Sequence, residues 1–81
     1  KPLGEWHQTV EFRGVVDDHY KYVFNLGDLD ELYDLQADPH ERDNRVDAPS
    51  YAVVRTRLKQ RLLRWMRETD DPLLHDLESQ M

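Results

Sequence analysis

From Val10 to Val16 apolar and polar residues alternate. Val10, Phe12 and Val16 share one side, with Gly14 between them, the period-two pattern of a half-buried strand. Asp17-Asp18-His19 should turn the chain, because short acidic side chains bond nearby backbone amides. Tyr20-Lys21-Tyr22-Val23-Phe24-Asn25 reads as a second strand, rich in aromatic and β-branched residues. Tyr20, Tyr22 and Phe24 fall on one face of it, and Lys21, Val23 and Asn25 on the other. The two runs form a hairpin. Leu26–Asp30 is a second turn in which Gly27 is free to take a positive φ. Glu31–Leu35 is a short third strand, closed by Asp38-Pro39 because proline donates nothing to a ladder. Glu5-Trp6-His7-Gln8 is a candidate fourth strand.

The period then changes. Residues 36–47 carry no regular pattern and read as a polar loop. A helix is expected over about 48–69, opened by Pro49 and capped by Asp47 or Ser50. Inside it Tyr51, Val54, Leu58, Leu62 and Trp65 recur at spacings of three and four, marking one buried stripe that Val53, Leu63 and Met66 widen. The helix should end near Thr69, before Asp70-Asp71-Pro72. The tail, residues 70–81, has Leu73, Leu74 and Leu77 available for docking. Strands followed by one long helix make an α+β layer: a three- or four-stranded antiparallel sheet of about residues 5–35, covered on one face by the C-terminal helix. The opposite face, with Val15, Val23 and Tyr33, has no assigned cover, and so small a sheet leaves edges that a neighbouring domain can satisfy.

Size and charge narrow this picture. Eighty-one residues make one small domain, and a chain of that length buries only about 60–65% of its unfolded surface. Its core is thin, and docking on a larger partner would complete it. Charge is segregated: residues 1–49 hold five Lys/Arg against twelve Asp/Glu, residues 50–69 six against one, and residues 70–81 four acids, for a net −6. The acidic total argues against nonspecific binding to nucleic acid. The basic helix reads as a solvated face balanced by the acidic loops at 28–47, and Arg13 has acids near enough in sequence to pair with. No run approaches the roughly 20 apolar residues of a membrane span. Lys1-Pro2-Leu3-Gly4-Glu5 lacks the apolar stretch of a secretory signal, and the compartment stays open.

Candidate chemistry is sparse. There is no cysteine, hence no disulfide and no thiolate nucleophile. The four histidines, His7, His19, His40 and His75, are too far apart in sequence for any pair to share a helical turn. His40-Glu41-Arg42-Asp43-Asn44 departs from the H-E-x-x-H zinc signature at its last position and falls in a loop. Asp28, Asp30, Glu31 and Asp34 fail the EF-hand order, because Gly27 precedes the acids, and read as turn-forming acids on a solvated surface. Ser50 and Ser79 lie outside any nucleophile elbow. No metal ligand and no catalytic residue is assigned.

Tyr20-Lys21-Tyr22-Val23-Phe24-Asn25, Asp30-Glu31-Leu32-Tyr33-Asp34-Leu35 and Asp38-Pro39-His40-Glu41-Arg42-Asp43-Asn44 have the order and spacing of the C-terminal subdomain of sulfatases, Y-K-Y-hydrophobic, D-E-L-Y-D-L and D-P-x-E-x-x-N. The match extends through Leu62-Leu63-Arg64-Trp65-Met66 to Asp71-Pro72, covering about residues 13–74. The resemblance implies a non-catalytic piece that packs on a sulfatase catalytic domain and borders its substrate cleft. It implies a calcium ion and a formylglycine in that other domain, the latter made from a Cys or Ser in C/S-x-P-x-R. This chain has no such motif. Tyr20, Tyr22, Leu32, Leu35, Leu58, Leu62 and Trp65 would be core. Asp38, Pro39, Glu41 and Asn44 would shape the connection to the helix. Lys21 and His7 are the substrate-rim candidates. Two departures are Arg45-Val46, where a leucine usually follows the Asn, implying a different seating of the loop, and Asp17 in place of a common Thr. The alternative is a stand-alone interaction module that keeps the fold without the catalytic half.

Overall fold

A computed structural model describes residues 11–80. Three strands, β1 (Phe12–Val16), β2 (Tyr20–Asn25) and β3 (Glu31–Asp34), pair antiparallel in the order β1-β2-β3. A 3-10 turn (Pro49–Tyr51) leads into the long helix α1 (Ala52–Glu68), and a short helix α2 (Leu74–Glu78) follows. The architecture is the α+β layer expected from the sequence. The fourth strand at Glu5–Gln8, Val10 and the rim candidate His7 lie outside the described residues.

The hairpins are set by side-chain chemistry at their turns. Asp17 Oδ1 accepts from the amides of His19 and Tyr20 at 2.8 and 2.6 Å, closing the β1–β2 turn. Gly27 takes φ +79° in the β2–β3 turn, a value costly to a residue with a Cβ. Register places Val15 opposite Tyr22 and Tyr22 opposite Leu32, so these three share the face that meets α1. Tyr22, Phe24, Leu32, Leu58, Leu62, Met66 and Leu77 are the large side chains fully buried there, joined by Val46, Leu63 and Leu73. Burying each such side chain contributes about 1.5–3 kcal/mol.

This register overturns the expected orientation of β1. Phe12 and Val16 are 59% and 58% exposed on the far face, and Arg13 and Val15 turn toward the helix. β1 has apolar residues of both parities, so its own alternation is ambiguous; pairing with β2, whose Tyr22 and Phe24 must be buried, decides it. The helix stripe is also rotated. Trp65, expected in the core, is 50% exposed, and Val53 82%. The reason is the tail: Leu73 and Leu77 dock on the shoulder of α1 that carries Leu63 and Met66, drawing the buried arc along Leu58, Leu62 and Met66. Leu35 is half-buried outside the core cluster, and Tyr20 packs at the cluster's edge.

Both ends of α1 differ from expectation in detail. Neither Asp47 nor Ser50 caps it: Ala48 precedes the 3-10 turn, and no side chain bonds the first amides. Proline in the first turn compensates in part by removing one donor that would otherwise be orphaned. At the other end Asp71 N–H donates to Met66 O at 2.9 Å and Asp70 N–H to Arg67 O at 3.3 Å, a Schellman closure with Asp70 at φ +54°. Asp71 then ties this end to the sheet. Its Oδ2 accepts from Arg13 Nε at 2.6 Å, and its carboxylate is held below its usual pKa by that bond first and by the Leu73 amide second. The helix cations find acids other than those at 28–47. Arg57 and Arg61 approach Asp17, Arg67 approaches Glu78, and Arg55 donates to the Val46 carbonyl.

Candidate functional site

The sheet face turned away from α1 carries Phe12, Gly14 and Val16 from β1, Lys21, Val23 and Asn25 from β2, and Glu31 and Tyr33 from β3. Among the described residues no helix covers it. Gly14 leaves the β1 edge without a side chain between Phe12 and Val16, and a Cβ there would come within 3.2 Å of the Tyr22 carbonyl. The face has two exposed apolar side chains on its β1 edge, Lys21 on the central strand beside Val16, and Val23 buried at 9% exposure in its middle.

Lys21, the rim candidate within the described residues, lies opposite Val16 on one side and Tyr33 on the other. Its Nζ donates to Glu41 Oε1 at 2.9 Å, with both side chains about a third exposed (35% and 37%). An ammonium so placed is fixed in direction yet open to solvent, and it can exchange its carboxylate for another anion at little cost. Tyr33 donates its hydroxyl to Glu31 Oε1 at 2.7 Å, which raises its pKa to about 12. It therefore stays a neutral donor beside the lysine.

The loop after β3 supplies Glu41 and is built by three residues of one motif. Asp38 accepts from the Arg42 and Asp43 amides, which depress its carboxyl pKa. Glu41 sits at φ +56°, and this left-handed turn presents its carboxylate to Lys21. Asn44 Oδ1 accepts from the amides of Leu32 at 2.9 Å and Val46 at 3.0 Å, and its Nδ2 donates to the Asp30 carbonyl at 3.0 Å. With Arg45 N–H donating to Leu32 O at 2.7 Å, the loop closes the outer edge of β3 as a strand would. Val46, next to Arg45, enters the core at 6% exposure.

The acids of the third strand prove structural. Asp30 accepts from the Tyr22 hydroxyl at 2.8 Å and from the Asn25 amide, and burial together with this bond pushes the Tyr22 pKa far up. Asp34 is buried at 9% exposure, a correction to the solvated surface expected for it. It accepts from the Gln36 and Ala37 amides and from the Tyr51 hydroxyl at 2.9 Å, and His19 Nε2 lies 3.2 Å away. The Ala37 amide is the chief cause of its depressed pKa. Asp34 thus joins the hairpin turn, the third strand and the start of the helix. Among the described residues no group of three or more His, Cys, Asp and Glu is arranged to hold a metal ion. No helix among them is long and apolar enough to cross a membrane.

Phe12 and Val16, expected on the buried side from the alternation of β1, stand on this face instead, and the signal that places them is the β1–β2 register.

Comparison with known proteins agrees with these motifs. Residues 3–68 match the family described as N-sulphoglucosamine sulphohydrolase, C-terminal. The chain is 42% identical over 63 residues to an uncharacterized sulfatase, YidJ, of Escherichia coli K12, covering 78% of this chain and 13% of that protein. It is 38% identical over 58 residues to a Delta 4,5-hexuronate-2-O-sulfatase of Bacteroides thetaiotaomicron, covering 64% of this chain and 12% of that one. Human N-sulphoglucosamine sulphohydrolase is 43% identical over 42 residues, 52% of this chain and 8% of its own length. The chain thus spans about an eighth or less of these relatives. With the family match running from before β1 to the last residue of α1, the chain belongs to the N-sulphoglucosamine sulphohydrolase C-terminal family of sulfatases.

Proposed function

We propose that this chain is a non-catalytic C-terminal subdomain that packs on a sulfatase catalytic domain through its bare sheet face and borders the substrate cleft. The observation that carries this reading is the exposure of Phe12 and Val16, on either side of Gly14 along the β1 edge of a sheet face that no helix covers among the described residues. A small sheet with two exposed apolar side chains on one face is more stable when a second domain removes them from water, by about 25 cal/mol per Å² of apolar surface. The catalytic domain is the partner that the relatives' greater length supplies.

Lys21 stands on the same face, and in this reading its ammonium holds an anionic group of the substrate at the cleft rim, in exchange for Glu41. His7 is carried as a second rim candidate. The relatives' names point to sulfated sugars, and the sulfate ester of a sugar is the substrate class proposed for the whole protein. Calcium and formylglycine belong to the catalytic domain. The residues here do not fit either group, since there is no cysteine, neither Ser50 nor Ser79 precedes x-P-x-R, and the described residues gather no metal-holding set.

Turnover of a chromogenic aryl sulfate tests the reading. The 81-residue chain alone should release no sulfate. The whole protein should do so, and on a chromogenic sugar sulfate that also carries a carboxylate Lys21→Met in it should raise KM several-fold with kcat held within about twofold. Turnover by the chain alone would sink the non-catalytic role, and an unchanged KM would remove Lys21 from the rim.

A further inference from the structure

The outward face of α1 is set apart from everything used above. Arg57, Arg61 and Arg64 recur at i, i+4 and i+7, and the first and last are about 10 Å apart along the axis. The Arg57 and Arg61 side chains are 49% and 46% exposed and share one carboxylate, Asp17, at 3.8 and 3.5 Å. Arg64 has no ion pair among the described residues, and Glu68 is the single acid within α1. The buried side of the helix is Leu58, Leu62, Leu63 and Met66, and Arg57 also lies over the Tyr20 ring at 5.9 Å.

Beside Arg61 the half-exposed Trp65 lines a shallow groove with Gly14, Val15, Val16 and Leu62. Gly14 and Val16 belong to the far face of the sheet. The groove therefore runs from the arginine face to the edge of β1, where the face proposed to dock begins. An apolar indole next to a row of guanidiniums suits a ligand that alternates flat sugar rings with anionic groups. Guanidinium binds tetrahedral and planar oxyanions in a two-pronged fashion that lysine cannot match. The net charge of −6 does not cancel this patch, because fields between exposed charges decay within about 8 Å at physiological salt.

We propose that the α1 face, with Arg57, Arg61, Arg64 and Trp65, is a secondary binding surface for a sulfated glycan chain. It holds units of the polymer remote from the reacting sulfate. The choice of a sulfated glycan rests on the function proposed above; the surface itself rests on the arginine row and the groove.

The test is titration of the 81-residue chain with a size-fractionated heparin decasaccharide across a range of NaCl concentrations, with helical content checked by circular dichroism. Binding should weaken with salt. Arg61→Gln/Arg64→Gln should lose at least tenfold in affinity and lower the slope of log K against log salt by about two, one for each lost contact. The charge-matched Arg42→Gln/Arg45→Gln should stay within twofold of wild type. Trp65→Leu should weaken binding without changing the slope. Absence of binding at 50 mM NaCl, as a chosen low-salt condition of about 0.05 M, would overturn the proposal. So would equal losses in the two double variants, or equally tight binding of duplex DNA. The readout needs neither turnover nor the catalytic domain, so an active sulfatase whose C-terminal piece ignores heparin refutes this surface alone. A piece that binds heparin within a protein inactive on sulfate esters refutes the function alone.

Discussion

Asn44 is the residue at which sequence motif, local structure and stability meet, and its replacement is informative. Its side chain makes three bonds that join the loop to β3: two accepted from the Leu32 and Val46 amides and one donated to the Asp30 carbonyl. Asn44→Ala removes all three and leaves the Leu32 amide, on a part-buried strand edge, without its acceptor. At about 1 kcal/mol for each bond, with solvent able to replace the outermost, the loss should be about 2 kcal/mol. A domain of this size has only about 4–12 kcal/mol in all, and 1 kcal/mol shifts its melting temperature by roughly 4–8 °C. Asn44→Ala should therefore melt about 10 °C below wild type, and urea unfolding should show the same loss with an unchanged slope. Asn44→Ser, too short to span all three partners, should fall between. An alanine variant that melts within 2 °C of wild type, taken as about half the smallest shift for 1 kcal/mol, would refute the edge-closing role.

Three further outcomes follow from the packing and the titrating groups. Leu58→Ala, at a fully buried position, should cost about 2–5 kcal/mol, whereas Trp65→Ala, 50% exposed, should cost about 1 kcal/mol, half the burial value of a large side chain; equal losses in urea unfolding would return Trp65 to the core. Asp70→Gly relieves a left-handed residue at the Schellman closure and should stabilise by about 0.5 kcal/mol, the strain relieved exceeding the added freedom of the unfolded chain; a lower melting point would contradict it. Stability should fall below about pH 4 and above about pH 10. On the acid side Asp17, Asp34, Asp38 and Asp71 have depressed folded pKa values, so their contribution is complete above the unfolded value of about 3.9 and is lost as pH drops through the folded ones. On the alkaline side Tyr33 is raised to about 12, and Tyr22 and Tyr51 are raised too, so their contribution is complete below about 10 and is lost above it. A melting temperature that rises from pH 5 to pH 3 would contradict the assignment.

Strand β2 was legible because every residue of one parity is aromatic, so Tyr20, Tyr22 and Phe24 leave one choice of buried face. Strand β1 was not, because Phe12, Val15 and Val16 put apolar groups on both faces; a long-range pairing settles what local alternation leaves open. The helix was readable in extent, Pro49 to Glu68, but its rotation depends on Leu73 and Leu77, which lie beyond it. A periodicity count within the helix alone therefore misplaces Trp65. The motif residues Asp38, Glu41 and Asn44 were recognisable as shaping the loop. That Glu41 reaches back to Lys21, 20 positions earlier, is a contact no spacing rule contains. The exposed apolar residues on which the proposed docking rests sit on the unexpected parity of an edge strand, a signal visible once the register is known.

Docking through the bare sheet face is the central claim, and hydroxyl-radical footprinting tests it most directly, comparing the 81-residue chain alone with the same residues in the whole protein. Phe12 and Tyr33, on the face proposed to dock, should be oxidised in the chain alone and protected in the whole protein, while Trp65, on the α1 side, should react at similar rates in both. Equal oxidation of Phe12 in the two, or protection of Trp65 instead, would contradict the account.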